Sequence, residues 1–232
     1  MAKRNYMETP VNWKLIILLG IFSGLANNVI MRLSVAFSIG LYLDTIFTVA
    51  AAFLGALVPG IICAVLTTVI FGITYFFITG TPYFWAWYFY ILCSIAAVLL
   101  IRFFARLFPE ECENVRIISR PGNVHSEKPR YGPLFIMLTA LSLAMCILMS
   151  VVGGLISACI TLMGDVVPND LPPETWFRLG FIRQGFSLLA SEILGRIPVN
   201  IADRPIAVFG GYGIAILVRI AFRARKAAPA VP

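Results

Sequence analysis

The chain has 232 residues, of which 60% are hydrophobic and only 12% are charged, and its mean hydropathy is +0.91. Soluble domains have about a quarter charged residues, so this composition excludes an ordinary soluble protein and predicts one that crosses a membrane several times. The net charge of +7 does not indicate nucleic-acid binding, because the cations cluster at the ends of apolar segments and not along one polar surface.

The five cysteines and the single histidine do not form a metal-binding pattern. Four cysteines lie inside apolar segments and the fifth lies in a charged loop, without CxxC or Cys/His spacing. His125 also lies in that charged loop and has no second ligand at a suitable spacing. The sequence therefore predicts neither a metal site nor a disulfide framework, and no other cofactor is expected.

Six apolar segments approach the length of about 20 residues that a membrane-spanning helix needs. They are predicted at 14–32, 41–57, 61–78, 83–101 and 133–163, with the sixth starting near Asn200. Proline and glycine in 58–60 and 80–82 separate neighbouring segments. The sequence thus predicts a single all-α integral membrane domain over 1–232 with six transmembrane helices.

Three polar segments lie between these spans. Residues 102–131 contain six cations and four glutamates and are predicted to be a solvent loop, while 164–176 is an acidic, proline-rich loop on the other side. Residues 177–194 mix apolar and charged side chains, a pattern typical of an amphipathic helix at the membrane surface. This helix is expected to precede the last span.

The distribution of Lys and Arg predicts the orientation. With six spans, 13 of the 18 basic residues fall on the side of the two termini and the 102–131 loop. Cytoplasmic loops are enriched in Lys and Arg, so both termini are expected in the cytoplasm and 164–176 outside. The five basic residues on the opposite side are Arg32, Arg178, Arg183, Arg196 and Arg204.

The start of the last span contains the first group of candidate binding residues. Asn200 and Arg204 offer an amide and a cation to a ligand at its outer mouth, and Asp203 offers an acceptor. The other interpretation is structural: Asp203 caps the helix and Pro205 occupies an early helical position. Both interpretations are open, and Asp203 fits the capping role better than a ligand role.

A second group lies near the outer end of the first span. Asn28 and Arg32 are four residues apart, so they share a helix face and are candidates to line a pocket with Asp44. Alternatively, Arg32 and Asp44 form an ion pair that leaves no free charge for a substrate. Asp44 is therefore assigned a structural role.

Aromatic and amphipathic segments supply the remaining candidates. The run from Tyr83 to Tyr88 is typical of an interfacial aromatic belt, with a single ring, Trp85 or Trp87, facing inward to a ligand. Arg183, with Gln184 and Glu192, either closes over the pocket or lies at the interface with its guanidinium near lipid headgroups.

Two stretches resemble a known family. LYLDTIFTVAAAFLGALVPGIICAV at 41–65 is similar to the aspartate-threonine helix, small-residue turn and return helix of the substrate-binding S components of energy-coupling factor (ECF) vitamin transporters. IPVNIADRPIAVF at 197–209 resembles the start of that family's last helix, with Arg204 where lysine is usual. Arginine keeps the charge but changes the hydrogen-bond geometry.

The resemblance implies a subunit that captures a vitamin-like small molecule at an outward-facing pocket in the cell membrane of a prokaryote. It also implies partners: a transmembrane scaffold subunit and two ATPase subunits. The chain contains no G-x-x-x-x-G-K-[ST] loop, so ATP hydrolysis is expected only in partners. Gly20 and Gly24, spaced as small-xxx-small, correspond to the family's scaffold-docking face.

Two other functional classes were weighed against a transport subunit. A ligand-sensing membrane module that acts through a partner protein is the alternative. An integral membrane enzyme is not expected, because the spans contain no Ser/His, His-Glu-x-x-His or paired-aspartate arrangement.

Overall fold

The computed structural model describes residues 13–37, 39–55, 57–80, 84–113, 115, 131–164 and 174–227. These residues are almost entirely helical and include no strand, so the predicted all-α class is confirmed. The helices are α1 Trp13–Ala36, α2 Ile46–Gly55, α3 Leu57–Thr79, a 3-10 helix Trp85–Phe89, α4 Tyr90–Leu107, α5 Pro109–Glu113, α6 Tyr131–Leu162, α7 Thr175–Arg183 and α8 Leu188–Ala227.

Five helical segments are long and apolar enough to cross a membrane: Trp13–Ala36, Leu57–Thr79, Trp85–Leu107, Tyr131–Leu162 and Leu188–Phe222. Large apolar side chains on their outer faces are exposed, among them Phe22, Phe77, Leu162 and Leu217. Monomeric soluble proteins rarely expose apolar surface on this scale. The chain is therefore a helical membrane protein.

The second predicted span differs from the structure. Residues 41–57 were expected to form one helix, but α2 has only 10 residues and corresponds to about 15 Å of helix. The preceding residues 41–44 are not helical, and Leu43 has a φ of 50°, in the left-handed region that leucine rarely adopts. Apolar composition alone did not distinguish a helix from this extended segment.

The long helices alternate in direction along the chain. α1, α3 and α6 run one way and α2, α4 and α8 run the other, so α1 begins and α8 ends at the same end of the bundle. The contacts that fix these directions are Gly20–Ile62, Arg32–Phe71, Asn27–Thr48, Leu19–Gly55, Gly60–Val98, Tyr90–Arg196, Phe53–Tyr212, Thr161–Glu192 and Phe135–Phe209. We call the opposite end, where residues 39–45, the 3-10 helix and α7 lie, the α7 end.

The predicted amphipathic helix at 177–194 is two elements. α7 ends at Arg183, Gly185 has a φ of 88° that breaks the helix, and α8 begins at Leu188. The last span therefore begins 12 residues before Asn200. Pro198 and Pro205 lie inside α8, where each lacks the N–H that would bond to the preceding turn.

The other predicted loops fall largely outside the described residues. Of the 102–131 loop, α4 continues to Leu107, α5 follows, and α6 begins at Tyr131, while 116–130, including His125, are not described. Of the 164–176 loop, only Gly164 and the residues from Glu174 onward are described.

Gly20 and Gly24 face the interior of the protein, which corrects their assignment to a scaffold-docking face. A Cβ atom built on Gly20 would lie 2.7 Å from the Ile62 side chain, and one on Gly24 would lie 2.9 Å from Leu66. Both glycines are buried. The small-xxx-small spacing serves close packing of α1 on α3 within this chain, so these positions are not accessible to a partner.

Candidate functional site

Three polar residues form a buried stripe on α8. Arg196, Asn200 and Arg204 are spaced four residues apart, so they lie on one face of the helix, toward its α7 end. All three are at least 95% buried. A polar stripe buried at this depth costs free energy unless each group finds a partner, and most of these groups do.

Arg204 is surrounded by partners. Its Nη1–H donates to Thr45 Oγ1 at 2.8 Å and its Nε–H donates to Asn200 Oδ1 at 3.1 Å. Its guanidinium also pairs with Asp203 and lies 3.5 Å from Asp44 Oδ1. The guanidinium thus joins α8 to the segment before α2, a structural role in addition to any contact with a ligand.

Asp203 does not cap a helix. It lies in the middle of α8, is fully buried, and accepts a hydrogen bond from the Leu43 N–H at 2.9 Å. The capping interpretation of Asp203 and Pro205 is therefore wrong, because α8 begins more than a turn earlier. The carboxylate instead accepts from a backbone N–H of the non-helical segment, where no helix supplies a backbone acceptor.

Arg196 joins three elements at the same end. Its guanidinium donates to Tyr42 Oη at 3.1 Å and Tyr90 Oη at 2.9 Å, and it pairs with Glu174 at 2.8 Å. Tyr42 comes from the extended segment, Tyr90 from α4, and Glu174 immediately precedes α7. The predicted site omitted all four of these residues. The eight-residue spacing of Arg196 and Arg204 was the signal in the sequence that would have found Arg196.

These residues line a partly open cavity of about 190 Å³. Its charged lining residues are Asp44, Glu174, Arg196 and Arg204, and its aromatic lining residues are Tyr42, Phe71, Trp87 and Tyr90. The rings of Trp87 and Tyr90 stack with their centroids 5.7 Å apart. A concave site with several rings and a few convergent polar groups is the usual form of a small-molecule binding site.

Asn28 and Arg32 do not belong to the lining of this cavity. Asn28 Nδ2–H donates to the Thr67 carbonyl at 2.7 Å, and Arg32 donates to the Phe71 carbonyl at 3.1 Å and to Thr74. Both side chains therefore join α1 to α3. Asp44, the expected partner of Arg32, pairs with Arg204 instead.

Trp85 and Arg183 also lie apart from the cavity. Trp85 is 60% exposed and Arg183 is exposed at the end of α7, which fits the interfacial interpretations of both. Trp87 is the tryptophan that lines the cavity. Glu192, the third polar residue of the predicted amphipathic helix, is buried and pairs with Arg178 at 2.8 Å, which joins α7 to α8.

Among the predicted binding residues, the structure brings Asn200 and Arg204 together in the lining and leaves Asn28, Arg32, Trp85 and Arg183 outside it. The fold and this site define a helical membrane protein with a charged and aromatic cavity at one end. Comparisons with protein-family models, curated proteins and solved structures found no match for the chain.

Proposed function

We propose that this chain is the membrane-embedded substrate-binding subunit of an ECF-type importer, which captures a vitamin-like small molecule. The observation on which this rests is the cavity between α8, the extended segment before α2 and Glu174 before α7. Its polar groups are positioned in advance by one another, as binding sites require.

The non-helical segment before α2 supports a binding role. Non-helical backbone at membrane depth is tolerated where it is buried in protein or lines a cavity, because its polar groups need partners there. Residues 41–45 fit this condition: Asp203 accepts from the Leu43 N–H, Ser34 donates to the Leu41 carbonyl, and Tyr42 and Asp44 line the cavity. Interrupted helices at a substrate site are a recurring feature of membrane transporters.

The partners proposed are a transmembrane scaffold subunit and two ATPase subunits, which would supply the ATP hydrolysis that this sequence has no phosphate loop to perform. The scaffold would contact a surface other than Gly20 and Gly24. The proposed location is a prokaryotic cell membrane with the α7 end outside and both termini in the cytoplasm, because 13 of the 18 basic residues fall, in the sequence, on the side of the two termini and the 102–131 loop.

Native mass spectrometry of the detergent-purified protein tests the proposal. We expect a small molecule that remains bound after size-exclusion chromatography and that binds again after removal. A protein that holds no small molecule, and whose melting temperature no vitamin or precursor changes, would contradict the binding role.

Filling the cavity is expected to abolish binding. Ser94 lies on α4 and lines the cavity, so Ser94→Phe places a ring in space that a ligand would occupy. We expect at least a tenfold loss of affinity, about 1.4 kcal/mol, for the co-purified compound, measured by isothermal titration calorimetry.

Leu92→Phe is the matched control, because Leu92 lies on the same helix and is 53% exposed on its outer face. Equal affinity in the two variants, with both folded, would exclude this cavity as the binding site.

A further inference from the structure

The charged groups that line the cavity differ in how far they are already paired. Arg196 has Glu174, Tyr42 and Tyr90 as partners, and Arg204 has two carboxylates, an amide and a hydroxyl. Their side chains are 7% and 3% exposed. Neither guanidinium is therefore available to a ligand without the loss of an internal partner.

Asp44 is the accessible charge. Its side chain is 33% exposed, several times more than that of Arg196, Arg204 or Glu174. Its nearest cation is 3.5 Å away, beyond the usual hydrogen-bond length, and this cation is shared with Asp203. Among the residues that the structure describes, Asp44, Asp203 and Glu174 are the carboxylates that pair with the two arginines, so acidic groups there outnumber basic ones by three to two.

The buried polar atoms without a hydrogen bond also favour a ligand that donates hydrogen bonds. Glu174 Oε2 is a buried carboxylate oxygen without a hydrogen bond on a residue that lines the cavity, whereas the unbonded Asp44 Oδ1 is the oxygen that lies 3.5 Å from Arg204 Nη2. Arg196 Nε is a buried donor without a hydrogen bond on another lining residue. It packs against α6, because a Cβ atom built on Gly153 would lie 3.7 Å from it. The cavity therefore has a spare acceptor on Glu174 and a partly exposed carboxylate on Asp44, which suit a ligand with N–H groups.

The remaining lining favours a planar ligand. Tyr42, Phe71, Trp87 and Tyr90 present rings to the cavity, and ring faces attract cations as well as other rings. A volume of about 190 Å³ is below the range of roughly 300–1,000 Å³ that drug-sized ligands occupy. The occupant is accordingly small.

From these observations we infer that the cavity binds a small planar nitrogenous ring compound that donates N–H groups to Asp44 and Glu174 and has no carboxylate or phosphate. This inference rests on the proposed binding function and names the chemistry of its substrate. An anionic ligand would lie against Asp44, where like charges repel, and would have to displace internal partners of Arg196 or Arg204.

Three compounds of nearly identical shape test the charge preference: benzamidine, benzamide and benzoate. Each is added to the full-length protein in detergent, after bound small molecules are removed, and affinity is measured by calorimetry and by the shift in melting temperature. We expect benzamidine to bind about tenfold or more tightly than benzoate, with benzamide between them. Asp44→Asn should remove most of the preference for benzamidine over benzamide.

Benzoate binding as tightly as benzamidine would overturn the inferred ligand class and leave the binding function standing. Failure of all three to bind would also overturn it; the binding function then falls only if the protein holds no co-purified compound. If Asp44→Asn does not fold, the order of the three affinities in the unmodified protein decides whether the inferred ligand class holds. Glu174→Gln then replaces Asp44→Asn as the variant expected to reduce the preference for benzamidine.

Discussion

Replacing Arg204 with alanine is expected to destabilise the whole protein and not only to weaken ligand binding. The guanidinium is 3% exposed and satisfies Thr45, Asn200 and Asp203 at once. Without it, Asp203 is a fully buried carboxylate that has lost the cation with which it pairs. Removing one partner of a buried ion pair costs about 3–5 kcal/mol, a large part of a typical stability of about 5–15 kcal/mol.

The measurement is thermal unfolding in detergent together with the fraction of protein that elutes as a single species. Arg183→Ala is the matched control, because Arg183 is an exposed arginine at the same end of the bundle. We expect it to melt as the unmodified protein does. An Arg204→Ala variant with the melting temperature of Arg183→Ala and a weaker affinity would instead support the role predicted from the sequence, a dispensable ligand contact.

The double variant Asp203→Asn with Arg204→Gln separates lost charge pairing from lost packing. Removing both partners costs less than leaving one charge buried alone, so the double variant should be more stable than Arg204→Ala. Asp203 also accepts from the Leu43 N–H, and asparagine retains an oxygen in place to do so. A double variant less stable than Arg204→Ala would contradict this account of the site.

Much of the helical framework was predictable from the sequence because apolar segments of membrane length are a strong signal. The exceptions have local causes. Residues 41–57 are mostly apolar, but Asp203 and Ser34 satisfy backbone groups before Ile46 and make a non-helical segment tolerable. Those partners lie far along the chain or in another helix, so no local pattern reveals them.

The start of α8 was missed for the opposite reason. Glu192, Arg196 and two prolines interrupt the apolar pattern and favour a helix boundary, but tertiary partners satisfy the charges and the helix continues through both prolines. Arg196 was consequently overlooked as a site residue. The structure places Asn200 and Arg204 in the cavity lining, but the burial of Arg204 among its own partners depends on contacts that only the fold provides.

The α1–α3 contact gives the second large expected effect. Gly20→Ala together with Gly24→Ala is expected to destabilise the protein, because the new methyl groups would lie 2.7 Å from Ile62 and 2.9 Å from Leu66. Overpacking of this kind costs about 1–3 kcal/mol at each site. Gly213→Ala on α8 is the matched control: among the described residues, no atom outside the neighbouring helix backbone lies within 4 Å of its added Cβ, and alanine favours a helix over glycine by about 1 kcal/mol.

The two changes should therefore move the melting temperature in detergent in opposite directions. Larger substitutions distinguish internal packing from scaffold docking. If Gly20 and Gly24 formed a docking face, Gly20→Leu with Gly24→Leu would abolish uptake and spare ligand binding. Because both glycines lie against α3, we expect uptake, binding and thermal stability to be lost together. Retained binding and stability without uptake would mean that α1 separates from α3 to meet a partner.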